Sequence, residues 1–190
     1  MNFFRLIIFL FFLVTLNSVN SFGKEFIGVI SAAIGQIENQ DNAKLTSGSK
    51  IYFGDTIIVK EKSNAQILLL DETVLTLGED SEVVIDEFIY DPASKDGKIV
   101  SNIVSGTVKI ITGEISKKDP DNLEIKMPTG TLGARGTEFV VLADTNDSTV
   151  VLLGPGPNNS LGMIPGNIEV SDGQNTIGIV TPGHQSIITN

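Results

Sequence analysis

The 190-residue chain has no cysteine and no tryptophan, one histidine and two arginines. Without cysteine no disulfide can staple the fold, and no thiol can be acylated or serve as a nucleophile. A Ser-His-Asp triad would have to use His184, which lies in a Thr-Pro-Gly-His-Gln turn, and the chain has no Gly-x-Ser-x-Gly elbow. A histidine-based zinc centre lacks its further ligands. Positive charge is also scarce: 13 Lys and Arg stand against 23 Asp and Glu, a net charge of −10. The lysines are interspersed with acids. Nucleic acid and anionic lipid are therefore poor partners, because phosphate binding needs clustered cations. No catalytic residue, cofactor or metal site is expected, and the chain reads as non-enzymatic.

There is one long apolar run, Leu6 to Leu16. It follows Met-Asn-Phe-Phe-Arg and ends in Asn17-Ser-Val-Asn-Ser-Phe-Gly23. A positive start, a short apolar stretch and a small-residue exit describe a secretory signal peptide. The run is shorter than the roughly 20 residues needed to cross a bilayer. Residues 1–23 are expected to be a leader removed between Ser21 and Lys24. Residues 24–190 are then one soluble domain, periplasmic or secreted, with no stable membrane insertion. Arg5 is the one charged side chain of residues 1–23, so its loss takes the net charge from −10 to −11.

The remainder is rich in strand signals. Phe26 to Ala33, Thr56 to Val59, Ala65 to Leu70, Val74 to Leu77, Phe139 to Leu142, Thr149 to Leu153 and Thr176 to Val180 are β-branched or aliphatic runs, punctuated by Gly, Asp and Asn. Val104, Gly106, Val108 and Ile110 alternate with polar residues, which predicts a strand with one buried face. No window has apolar residues at helical spacing. The fold class is all-β, a single domain of many short strands forming a β-sandwich, a β-roll or a short β-solenoid. A weak echo between Ser105–Ile110 and Pro165–Val170 keeps the solenoid open. Gln66 to Leu70 is apolar on both pleat faces and is expected to be central and covered on both sides. Asp71-Glu72 fits a two-residue hairpin turn poorly, so that turn is either longer or strained. Gly113 to Asn122 and Gly154 to Pro165 read as long loops. The second is a candidate binding loop, through Gly154, Pro155, Asn158, Asn159 and Met163. The acidic groups Glu79, Asp80 and Glu82, and Asp86, Glu87 and Asp91, lack calcium-loop spacing and read as solvated edges.

The most informative segment is Met127-Pro-Thr-Gly-Thr-Leu-Gly-Ala-Arg-Gly-Thr-Glu-Phe-Val140. It holds Arg135, the one arginine beyond the leader, between Gly133 and Gly136 and directly before a strand. The three glycines are not a phosphate loop, because a strand follows rather than a helix. A guanidinium at a glycine-rich corner is placed to satisfy several loop carbonyls at once, so Arg135 is expected to lock the corner.

This segment resembles the signature of the FecR domain family, with Pro128, Gly133, Arg135, Gly136, Thr137 and Phe139 carrying the motif. Gly28-Val-Ile30, Gly35-Gln-Ile37, Leu45 to Val59 (with its Gly-Asp-Thr-Ile), the Ala65–Leu77 hairpin (with Glu72 where glycine is usual) and Gly106-Thr-Val108 resemble further family segments in the same order. The resemblance implies a periplasmic all-β domain. Well-known members are sigma-factor regulators with a cytoplasmic segment, a membrane span and a signal-receiving periplasmic part. Only a short tail precedes the apolar run here, so the sigma-binding role is not carried over. What is implied is a module for protein recognition or envelope signalling. The alternative is a small-ligand, glycan or cell-wall-binding accessory protein.

Overall fold

The short β-branched runs do form strands, and alternation decides which side of each strand meets the core. The computed structural model describes residues 24–158 and 165–189. The expected leader lies outside these residues, as do Asn159 and Met163. The strands are β1 (Phe26–Ile34), β2 (Ile37–Asn39), β3 (Lys44–Leu45), β4 (Lys50–Tyr52), β5 (Thr56–Val59), β6 (Asn64–Leu69), β7 (Val74–Leu77) and β8 (Glu82–Asp91). They continue with β9 (Asp96–Ile111), β10 (Leu123–Met127), β11 (Gly130–Arg135), β12 (Glu138–Ala143), β13 (Asp147–Gly154), β14 (Asn167–Ser171), β15 (Thr176–Ile179) and β16 (Gln185–Thr189).

All the strands belong to one hydrogen-bonded network. The long strand β9 divides it into two layers, because its two halves have different neighbours. One layer runs β4-β1-β6-β7-β9-β12-β13-β16, and the other β3-β2-β5-β8-β9-β10-β11-β14-β15. The ladders are antiparallel except β9–β10. Of the architectures left open, this is a two-layered sandwich. Stacked solenoid coils would pair in parallel, and one ladder alone does so.

The change of layer happens at Gly106, whose φ is +90°. A Cβ there would lie 2.5 Å from the Ser81 backbone, so glycine is required both by conformation and by space. Ile99, Ser101 and Ile103 face inward before this point, and Val108 and Ile110 after it. The inward parity switches from odd to even. This corrects the expected single face: Val104 is exposed at 39%.

Ile27, Ile67, Leu75 and Phe139 from the first layer join Ile57, Ile85, Ile125 and Ile168 from the second in one buried cluster. Each such side chain contributes about 1.5–3 kcal/mol by leaving water. Strand β6 is central, between β1 and β7, but it is covered on one face only. Leu68 and Leu70 remain 38% and 47% exposed, contrary to expectation.

Between β6 and β7 the turn is longer than two residues. Leu69 donates to the Thr73 carbonyl, which leaves Leu70 to Glu72 as the loop, with Glu72 at φ +70°. This matches a three-residue hairpin whose last residue is left-handed. Asp71 is fully buried beneath this turn. Its carboxylate accepts from Thr73 N (3.1 Å) and Thr73 Oγ1 (2.8 Å), while Gly113 N donates to Thr73 Oγ1 (3.0 Å). Burial pushes the Asp71 carboxyl above its ordinary value, and these hydrogen bonds oppose the shift.

The segment 113–122, read as a loop, instead holds a short helix, α1 (Glu114–Lys118), and a 3-10 turn (Pro120–Asn122). The Asp71 carbonyl accepts from Glu114 N (2.8 Å), and Ser116 Oγ donates to the Ala134 carbonyl. Tertiary bonds therefore hold a helix too short to form alone.

Candidate recognition site

The glycine-arginine segment is itself a strand and then a crossing. Strand β11 pairs with β10 and β14 in the second layer, and β12 pairs with β9 and β13 in the first. The chain changes layer at Gly136 (φ +54°) and Thr137. Thr137 ties this corner together. It is buried, its N–H donates to Thr112 Oγ1 (2.8 Å), and its Oγ1 donates to the Gly154 carbonyl (2.7 Å). Thr112 N donates back to the Thr137 carbonyl (3.0 Å). Gly166 packs so closely against Thr137 that a Cβ would fall 2.2 Å from Oγ1. One threonine thus joins the ends of β9 and β13 to the approach to β14. Phe139 follows as a fully buried anchor, opposite Ile110 and Leu152. Pro128 is exposed at the β10–β11 turn.

Arg135 does not share that work. Its side chain is exposed, and its guanidinium makes no hydrogen bond or ion pair with any described residue. The corner is locked by Thr137, a motif residue whose partners lie 25 and 17 positions away, where spacing carries no signal.

Arg135 instead borders a groove of about 420 Å³ on the outer face of the second layer. Register explains how the groove forms. Glu124, Gly133 and Glu169 stand side by side on β10, β11 and β14, all facing outward, with Arg135 and Asn167 paired in the row two residues on. Gly133 has no side chain, so the middle of the row is hollow. The position does not demand glycine: a Cβ would meet nothing closer than the Leu123 carbonyl, at 3.6 Å. Asp121, from the 3-10 turn, contributes to the rim. The result is a shallow polar site with the exposed Arg135 guanidinium at one end and carboxylates around it, able to take hydrogen-bonding groups of either sign. The alternation of Ile168-Glu169-Val170 marks Glu169 as outward-facing in the sequence. Nothing in the sequence places it beside Gly133.

The candidate binding loop is described as far as Asn158. Gly154, Pro155, Gly156, Pro157 and Asn158 line a separate hollow of about 300 Å³ with Pro182. His184 is exposed in the turn before β16, and its carbonyl accepts from Leu152 N (3.1 Å). The acidic groups have structural partners: Glu79 accepts from Lys62 N (2.8 Å), Glu87 pairs with Lys98 (2.8 Å), and Asp91 caps its own turn through Ala93 N (2.9 Å). Among the described residues no group of three or more His, Asp or Glu is placed to hold a metal.

The profile of the FecR protein family matches residues 55–154, more than half of the chain. The chain belongs to the FecR family. The FecR match contains Thr112, Thr137 and Arg135. It ends at Gly154, so the β14 wall of the groove and strands β15 and β16 lie beyond it. Among solved structures, two crystal structures of "a putative anti-sigma factor" from Parabacteroides distasonis ATCC 8503 share the fold at a TM-score of 0.52 and 16% identity. The alignment covers 71% of this chain and 55% of that one, so this chain spans about half of that protein's length. Among curated proteins no sequence matches.

Proposed function

We propose that this chain is an exported, non-enzymatic recognition module of envelope signalling that works through a protein partner. The observation that carries the reading is Arg135: the family motif presents a guanidinium with no partner among the described residues, at the rim of an outer-face groove. Five fixed donors left free on a rigid strand suit a carboxylate or backbone carbonyls of a partner. Membership of the FecR family, the anti-sigma description of a protein with the same fold, and a leader-like N-terminus support the setting. Residues 1–23 are then removed on export, leaving 24–190 outside the cytoplasm. Among the described residues no helix is long and apolar enough to cross a membrane.

The test has two arms. A fusion of alkaline phosphatase to the C-terminus reports export, and an inactive fusion overturns the location. A photo-crosslinking residue at Thr131, on the groove lining, is expected to capture a defined envelope protein in living cells. Capture should be lost in Arg135→Ala and not restored by Arg135→Lys, and capture unaffected by Arg135→Ala overturns the reading. The size and polarity of the groove favour one second reading, a glycan or cell-wall accessory. A thermal shift with peptidoglycan fragments, lost in Arg135→Ala, would move the assignment there.

A further inference from the structure

Edge strands expose a row of unpaired backbone donors and acceptors, and most are blunted by shortness, lysine, proline or a bulge. Strand β15 is short, but it has no lysine, no proline and no bulge. Among the described residues it pairs with β14 alone, in a register without irregularity, and its four residues Thr-Ile-Gly-Ile carry no charge. Strand β16, on the edge of the other layer, pairs among the described residues with β13 alone and is also uncharged, Gln-Ser-Ile-Ile-Thr.

The core is incompletely covered between them. Ile177 stands opposite Val170 and shares its inward-facing side, yet it is 57% exposed while Val170 is 3% exposed. A cleft of about 150 Å³ lies there, lined by Ile177, Ile187 and Ile188, with Ser186, Asp172 and Asn175 around it. We propose that the free edge of β15 accepts an added strand from another protein, an extended segment of alternating apolar residues flanked by lysine or arginine. Backbone pairing supplies the register, and apolar side chains on one pleat face cover Ile177.

Charge selects this occupant over a second copy of the chain. From Met127 to Asn190 there are five acids (Glu138, Asp144, Asp147, Glu169, Asp172), one arginine and no lysine. Asp172 stands at the cleft itself. Its carboxylate accepts from Asn175 N (2.6 Å) and Gln174 N (2.7 Å), which holds its pKa below the ordinary value. Two copies joined edge to edge would bring like charges together, whereas a lysine-flanked segment meets the opposite sign. The surface is separate from the Arg135 groove, and the inference stands if that groove proves idle.

The probe is a synthetic peptide of about nine residues, alternating valine and threonine with a lysine at each end. It is titrated into the full mature chain and followed by amide hydrogen exchange and by affinity. Binding is expected with slowed exchange of the Ile177–Ile179 amides. Affinity should fall at least about tenfold when the end lysines become glutamates, and binding should disappear when the central residue becomes proline. Ile177→Lys should weaken binding by about tenfold or more without moving the melting temperature, and Arg135→Ala should leave it unchanged. No binding, or binding indifferent to the proline or to Ile177→Lys, overturns the proposal. Concentration-dependent dimers that protect the same amides would give the edge to a second copy and overturn the choice of partner.

Discussion

The two ends of the sandwich are built on the same plan and finished differently. At the N-terminal end, residues 46–49 carry the chain from the edge strand β3 to the opposite edge strand β4. Ile30 N bonds the Ser49 carbonyl (2.9 Å), and Gly48 N bonds the Ile30 carbonyl (2.8 Å). At the C-terminal end, residues 180–184 join β15 to β16. Leu152 N bonds the His184 carbonyl (3.1 Å), and Gly183 N bonds the Leu152 carbonyl (2.8 Å). Gly48 and Gly183 have φ +86° and +83°.

The side chains differ where the backbones agree. The first end has strands of two and three residues bearing Lys44 and Lys50, and Lys50 Nζ lies 5.7 Å from the centre of the Phe26 ring. Leu45 packs onto the core opposite Ile37. The second end has longer, uncharged strands and the half-bare Ile177. Topology alone therefore does not close a sandwich. Two lysines and a covered leucine do so at one end, and their counterparts are missing at the other.

The comparison is broken or sharpened first at paired isoleucines. Ile37→Ala, at the closed end, should cost about 2–5 kcal/mol, because Ile37 is fully buried. Ile177→Ala should cost under about 0.5 kcal/mol. Chemical denaturation of both variants decides it, and equal losses would mean that the C-terminal end is as closed as the other.

Thr137→Val keeps the shape of the seam between the two ends but removes the hydroxyl that reaches Gly154. The orphaned carbonyl should cost about 1–3 kcal/mol. If Thr137→Val melts with the wild type, the corner is held elsewhere.

Asp71, under the β6–β7 turn, gives a pH test. Its folded pKa is raised above the ordinary 3.8, so the folded state binds the proton more tightly than the unfolded chain. Its contribution is most favourable below 3.8 and is lost as pH rises through the raised value. Wild type should therefore lose stability relative to Asp71→Asn as pH climbs from 3.8, and a flat difference would refute the raised value.

The smallest effect belongs to Arg135. Both Arg135→Ala and Arg135→Lys should change stability by no more than about 0.5 kcal/mol, because the exposed side chain has no partner among the described residues. A clear drop in melting temperature would restore the corner-locking role that the sequence suggests.

The strands were legible because a half-buried pleat writes its alternation directly into the sequence. Val108 and Ile110 face the core as their alternation predicts. Val104 does not, because the left-handed Gly106 reverses which parity faces inward, and alternation is silent about such a reversal. Helix α1 is not legible in the sequence, because five residues hold barely one turn. Its order comes from the carbonyls of Asp71 and Ala134, which are distant in sequence. The glycine-arginine corner was legible as a corner. Which of its residues holds it was not, since the partners of Thr137 appear only once β9, β12 and β13 are side by side. The groove was hidden for the same reason, and the openness of the C-terminal end is a matter of exposure, which the composition of β15 hints at but does not decide.

Strand β9 has a mechanical meaning. It pairs with β8 and β10 through one half and with β7 and β12 through the other, so a single uninterrupted stretch of backbone is the spine of both layers. No cut through the chain separates two halves that could come apart in turn. Tension applied to the edge of either layer is carried along that spine past Gly106 into the other, and the domain resists or yields as a whole.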